Sequence, residues 1–193
     1  MSYRIRPGED LTTEVVRIAE RQYERAMEIL RDQPDGRYQA IHDARKRFKK
    51  LRGLFRLVRD ASLDFYEAEN ARIRDMANSL STVRDATALV ETLDHLIDRE
   101  REPDKQAALG AVRDRLAKRL ERITKAETDL GAKIEAAIGS CEDGIEALAA
   151  LRLPKGKSRT IALLARGTAK NYGRAVCALQ TAIASNNPAD WHD

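Results

Sequence analysis

Apolar residues recur three and four positions apart along almost the whole of this 193-residue chain, the spacing that lines one face of an α-helix. Val16, Ala19, Tyr23, Ala26, Met27 and Leu30 mark a first amphipathic helix over roughly 10–31, stopped by Gln33-Pro34-Asp35-Gly36. Ile41, Ala44, Phe48, Leu51, Phe55 and Val58 back a second helix that reaches about residue 60. The series Ile73, Met76, Leu80, Val83, Thr87, Val90, Leu93 and Ile97 predicts a third, over 65–99, closed by Glu102-Pro103-Asp104. Leu109, Val112, Leu116, Leu120, Ile123, Leu130, Ile134 and Ala137 predict a fourth, frayed by Gly139 and Gly144 with an added turn at 145–151. No segment reads as a strand, and four long helices with short loops predict an all-α fold, an antiparallel four-helix bundle. Composition agrees: 42% apolar and 34% charged residues, with five Pro and ten Gly, leave few helix breakers.

The second helix carries an unusual charge pattern. Between Asp43 and Asp60 there is no acid, and the sixteen intervening residues hold eight bases: Arg45, Lys46, Arg47, Lys49, Lys50, Arg52, Arg56 and Arg59. Removing these eight from the 35 Lys and Arg leaves 27 against 31 Asp and Glu, so the net +4 is +8 here and −4 elsewhere. On a helical wheel His42, Arg45, Lys46, Lys49, Lys50, Arg52 and Arg56 fall within an arc of roughly 160°, opposite the apolar stripe. Gly53 sits inside that arc, where a missing side chain would let a ligand come close. Solvated helix faces mix signs, whereas Lys46 and Lys50, Arg45 and Lys49, and Arg52 and Arg56 are like-charge pairs four apart that repel by a few tenths of a kcal/mol each. A polyanion is the partner that would offset them.

Other classes are argued against. Aromatics make up 5% of the chain, too few for base-stacking platforms. Cys141 and Cys177 stand 36 apart without a CxxC pair, so neither a disulfide framework nor a zinc site is indicated, and a reducing, cytoplasmic setting is expected. No apolar run reaches membrane-spanning length and no signal-peptide core is present, so no membrane association is expected. Gly156-Lys157-Ser158 lacks the upstream glycine and preceding strand of a phosphate-binding loop and reads as linker. His42-Asp43 and His192-Asp193 resemble the metal-binding pair of phosphohydrolases, but only His95 remains as a further histidine, so catalysis, a metal and a cofactor are not expected.

The chain also repeats itself. Tyr23, Arg25, Ala26 and Leu30 recur as Tyr172, Arg174, Ala175 and Leu179 at an offset of 149, which also carries Arg17, Arg21 and Arg25 onto Arg166, Lys170 and Arg174. The expected organisation is therefore a four-helix half over 1–150, a linker over 151–158, and at 159–193 the first helix and truncated start of a second half ending at His192-Asp193. An unfinished repeat leaves apolar surface that could drive homodimerisation.

The run His42-Asp43-Ala44-Arg45-Lys46-Arg47-Phe48-Lys49-Lys50-Leu51-Arg52, with Arg84-Asp85 on the next helix and a duplicated layout, resembles the CHAD family, the conserved histidine α-helical domain. The resemblance implies an all-α protein of two similar halves around a basic central channel that binds inorganic polyphosphate. It gives His42, Arg45, Lys49, Lys50 and Arg52 the phosphate-binding role, to which the wheel adds Lys46 and Arg56. It also implies work at polyphosphate granules or as an accessory module of a triphosphatase. Arg17, Arg21 and Arg25 form a secondary stripe that Glu20, Glu24 and Glu28 could neutralise; Arg166, Lys170 and Arg174 have no acid between Arg159 and Ser185, and His192 completes the secondary set. Nucleic acid or an acidic protein are the competing partners; against nucleic acid stands the acidic balance outside the second helix.

Overall fold

The computed structural model describes residues 3–126, 129–185 and 187–191, and the side chains of all of these except 81–85, 126, 188 and 189. The described residues form helices and no strand: α1 (Leu11–Asp32), α2 (Arg37–Val58), α3 (Leu63–Ser79), α4 (Ser81–Arg99), α5 (Pro103–Ala126), α6 (Leu130–Ala147) and α7 (Lys157–Ser185), with 3₁₀ turns at Arg59–Ala61, Leu148–Ala150 and Pro188–Trp191.

The start of α1 is set by Asp10, whose side chain accepts a hydrogen bond from the Thr13 amide at 3.0 Å. Its end is set by Gln33, which takes the left-handed conformation at φ 44° and returns its amide to the Ile29 carbonyl. Pro34 then forbids continuation. α2 starts after Gly36, whose φ of 88° needs a residue without Cβ.

Two of the four expected helices are broken. The third divides at Leu80 into α3 and α4. Neither Gly nor Pro marks the place, and the apolar period runs straight across it. Leu80 is buried at 1% exposure and turns the chain there, and the Ser79 hydroxyl donates back to the Met76 carbonyl, a local alternative to helix continuation. The fourth divides between Ala126 and Leu130 into α5 and α6. α6 runs through Gly139 and Gly144 to Ala147 without fraying there.

The body is a ring in which α1 packs on α2 and α6, and α3 packs on α2 and α6. Val15, Tyr23, Leu30, Ile41, Phe48, Leu51, Phe55, Ile73, Ile134 and Cys141 fill its centre. Leu151 and Leu153, within the expected linker, are also buried in this core. α4 and α5 pair with one another as a hairpin, attached to the body through α4 on α2 and α3. α7 lies on α2 and the Arg59–Ala61 turn. A Cβ at Gly167 would collide with the Leu57 carbonyl, so glycine is what allows the two helix backbones to meet there.

Two buried carboxylates fix the frame. Glu69 accepts a 2.7 Å hydrogen bond from Tyr23 Oη and a 3.0 Å one from Arg72 Nε, joining α1 to α3. Burial, then the Glu69 charge, pushes the Tyr23 phenol far above its ordinary pKa, so it stays a donor. Burial likewise pushes the neighbouring Cys141 thiol up to about 12. Glu14, at 0% exposure, accepts from Arg17 Nε at 2.9 Å and from Arg6 Nη2 at 2.6 Å, which ties the segment before α1 down. Hydrogen bonds from Arg17, then from Arg6, hold the Glu14 carboxyl well below the usual carboxylate range. A depressed folded-state pKa contributes stability above the ordinary carboxylate pKa and loses it as pH falls towards the folded value. Glu14→Gln should therefore cost about 1.5–3 kcal/mol near neutrality, the range for hydrogen bonds to charged groups. Thermal melts at about pH 7 and about pH 3 check this: the gap between variant and wild type should narrow in acid.

Candidate functional site

The apolar stripe of α2, with Ala40, Ile41, Ala44, Phe48, Leu51, Leu54, Phe55 and Val58 all buried, orients the opposite face outward. The seven residues of the basic arc therefore share one helix and one side, but they divide by what they touch. Lys46, Lys49 and Lys50 are exposed. Lys46 Nζ pairs with Asp43 three residues back at 2.8 Å, and that hydrogen bond lowers the Asp43 pKa. Lys49 has no hydrogen bond or ion pair among the described residues. Arg45 and Arg52 lie at the margin of the arc towards α3, and both reach across to it. The Arg45 guanidinium donates to the Ala77 carbonyl, and Arg52 Nε donates to Asn70 Oδ1 at 2.9 Å. His42 and Arg56 are half-buried, the Arg56 Nε without a hydrogen-bond partner. Three ammonium groups thus face solvent while two guanidinium groups are docked on α3.

The space beside Gly53 is already used. Tyr3 lies over the arc, its hydroxyl donating to the Lys50 carbonyl at 2.7 Å and standing 3.8 Å from where a Gly53 Cβ would be. The Lys50 ammonium lies 5.7 Å from the centre of the Tyr3 ring, a cation–π contact. The strap that brings Tyr3 there is held by Glu14 through Arg6, and by Arg17, whose Nη2 donates to the Arg4 carbonyl at 3.1 Å. Tyr3 is separated from Lys50 by 47 positions, so no local pattern in the sequence signals it.

Of the secondary set, Arg21 pairs with Glu24 at 3.3 Å and Arg25 with Glu28 at 2.8 Å, the expected partners three residues on. Arg17 instead uses Glu14, three residues before it, because that carboxylate is buried and already oriented. Arg166, Lys170 and Arg174 are exposed on α7. Lys170 nevertheless has an acid partner: its Nζ meets Asp60 Oδ2 at 2.6 Å, across from the end of α2. That hydrogen bond, aided by the charges of Arg59 and Arg166, lowers the Asp60 pKa. Asp60 therefore links the cations of α7 to the end of the α2 face. His192 and the Arg84–Asp85 side chains lie outside the described residues. Beyond Gly167, Tyr172, Leu179 and Ile183 of α7 face solvent, at 72%, 51% and 65% exposure, while Ala182 is buried.

His95 is exposed on α4, and among the described residues no group of three or more His, Cys, Asp and Glu is placed to hold a metal. A cleft between α3 and α6 is lined by Arg72, Asp75, Met76, Ser79, Ala136, Ala137 and Ser140, which include none of the arc residues. No helix among the described residues is long and apolar enough to cross a membrane.

Helices throughout, with a long cationic face of α2 backed by the core and no strand among the described residues, define an all-α module with a basic helix face. The particular family follows from comparison with family models: the chain belongs to the CHAD domain family, whose model matches residues 17–193. Comparison with curated proteins and with solved structures found no match.

Proposed function

We propose that this protein binds inorganic polyphosphate, without catalysing its breakdown, on the face of α2 that carries His42, Arg45, Lys46, Lys49, Lys50, Arg52 and Arg56. The observation that carries this reading is the set of three exposed ammonium groups, Lys46, Lys49 and Lys50, on a helix whose other side is locked into the core. Polyphosphate presents repeated negative charge and no base edges, so it asks only for dense cationic donors. Lysine supplies flexible point charges and arginine planar paired donors, a mixture that follows an irregular chain. Arg45 and Arg52 serve as the fixed edge of the face and the lysines as its adaptable part. Arg166, Lys170 and Arg174 on α7 extend the cationic surface, and family membership supports polyphosphate over other polyanions. Polyphosphate association also fits a role at granules or beside a triphosphatase in the cytoplasm.

His42 gives the reading a pH signature. Phosphate charge beside an imidazole favours its protonated form, so affinity should rise as pH falls towards about 6. Titrating wild type and His42→Ala with polyphosphate at about pH 6 and about pH 8, each in competition with duplex DNA, is the test. The expected result is that polyphosphate displaces DNA and that the variant loses most of the pH dependence. Equal pH dependence in both proteins would remove His42 from the site, and failure of polyphosphate to displace DNA would favour nucleic acid instead.

A further inference from the structure

The outer side of α5 carries a second cationic stripe. Arg115, Lys118, Arg119, Arg122 and Lys125 are all exposed, and on the helical wheel they fall within an arc of about 120°. Leu109, Val112, Leu116, Leu120 and Ile123 form a separate apolar stripe, of which Leu120 and Ile123 pack against the core. None of the five cations has an ion pair or hydrogen bond among the described residues. Asp94 of α4 is taken by Arg113 on another side of α5, at 2.9 Å. The stripe is built of like charges at helical spacing, Arg115 with Arg119 and Lys118 with Arg122 four apart, Arg115 with Lys118 and Arg122 with Lys125 three apart. Each such pair costs a few tenths of a kcal/mol, which Asp114 and Glu121, four residues before Lys118 and Lys125 at one edge of the stripe, offset only in part.

Position connects this stripe to the site on α2. Tyr38 Oη donates to Thr124 Oγ1 at 3.2 Å, which puts the last turn of α5 against the first turn of α2. Tyr38 precedes His42 by one helical turn and falls on the same side of α2 as the basic arc. Thr124 lies about 160° around α5 from Arg122 and about 100° from Lys125, so these two cations stand on the solvent side of the same last turn, across the helix from its contact with α2. From Arg115 to Lys125 the stripe is about 15 Å long, and from His42 to Arg56 the α2 face is about 21 Å.

We infer that α5 is a second binding segment for the same ligand: a long polyphosphate lying on α2 continues past His42 onto Arg122, Lys125, Lys118 and Arg115. The inference rests on the α2 reading and deepens it, because it makes affinity depend on chain length. A short polyphosphate is satisfied by α2 alone, whereas a long one also releases counterions from α5.

The test is the quadruple variant Arg115→Gln, Lys118→Gln, Arg122→Gln, Lys125→Gln, titrated over a salt series with short-chain and long-chain polyphosphate. All four side chains are exposed, so the circular dichroism spectrum and melting temperature should match wild type. Long-chain affinity should fall by roughly tenfold or more, and the slope of log affinity on log salt should lose about 3, near 0.7 for each of four cations. Short-chain affinity should stay unchanged. An unchanged long-chain affinity and salt slope overturns the α5 segment while leaving the α2 reading intact. An equal loss for both lengths also overturns it, since the four cations would then act on the α2 site itself. Wild type that binds neither length removes the α2 reading and this one with it.

Discussion

Replacing Lys46, Lys49 and Lys50 together by glutamine should weaken polyphosphate binding by about a hundredfold or more at moderate salt, with no change in fold. Each lysine that meets a phosphate makes a charge-assisted hydrogen bond worth about 1.5 kcal/mol or more, and three of them give at least two to three powers of ten. All three side chains are exposed, so their removal uncovers no core. Salt dependence separates this from a general loss of charge. Three fewer displaced counterions should lower the slope of log affinity on log salt by about 2. Titrations followed by calorimetry at several salt concentrations give both numbers. A variant with reduced affinity but an unaltered slope would mean that the lysines do not touch the polyanion.

Tyr23→Ala should cost about 3–5 kcal/mol of stability, as expected for removing a large buried aromatic ring. The ring is fully buried, and it fits because Gly144 on α6 has no Cβ: an added one would lie 2.6 Å from the Tyr23 ring. The substitution also leaves Glu69 buried without one of its two donors. Tyr23→Phe separates the two contributions, keeping the ring and deleting only the hydroxyl, and should cost about 1–3 kcal/mol. For a chain of this size each kcal/mol moves the melting temperature by about 2–4 °C, so calorimetry should place the alanine variant about 10 °C or more below wild type. Equal melting temperatures for the two variants would show that the hydroxyl carries the whole effect.

Much of the frame was legible before any coordinates. The 3.6-residue period located the helical segments, and Gln33-Pro34-Asp35-Gly36 correctly ended α1 because a left-handed Gln33 and the following proline act locally, Gly36 then opening α2. The breaks at Leu80 and after Ala126 were not legible. Neither is marked by Gly or Pro, and the apolar period continues through both; each series divides into separate helices, which can cover different parts of the core. The same limit applies to the site. The wheel put seven residues on one side of α2, yet it could not tell that Arg45 and Arg52 reach Ala77 and Asn70, or that Tyr3 lies beside Gly53. Asp60 was read only as the acid that closes the basic run, although it meets Lys170 from 110 positions away. The α5 stripe, in contrast, was present in the sequence. Summing charge over everything outside α2 concealed it, and a wheel drawn for each helix in turn would have found it.

The sequence by itself determined that the chain is helical, that one face of α2 is cationic and that the opposite face is core. These are consequences of side-chain spacing along a single helix, which depends on neighbours three and four residues away. Tertiary structure alone decided which of those cations stay in water, which dock on another helix, and which acid or aromatic ring meets them. Such contacts join residues tens of positions apart, and they exist only once burial of the apolar faces has fixed how the helices lie against each other.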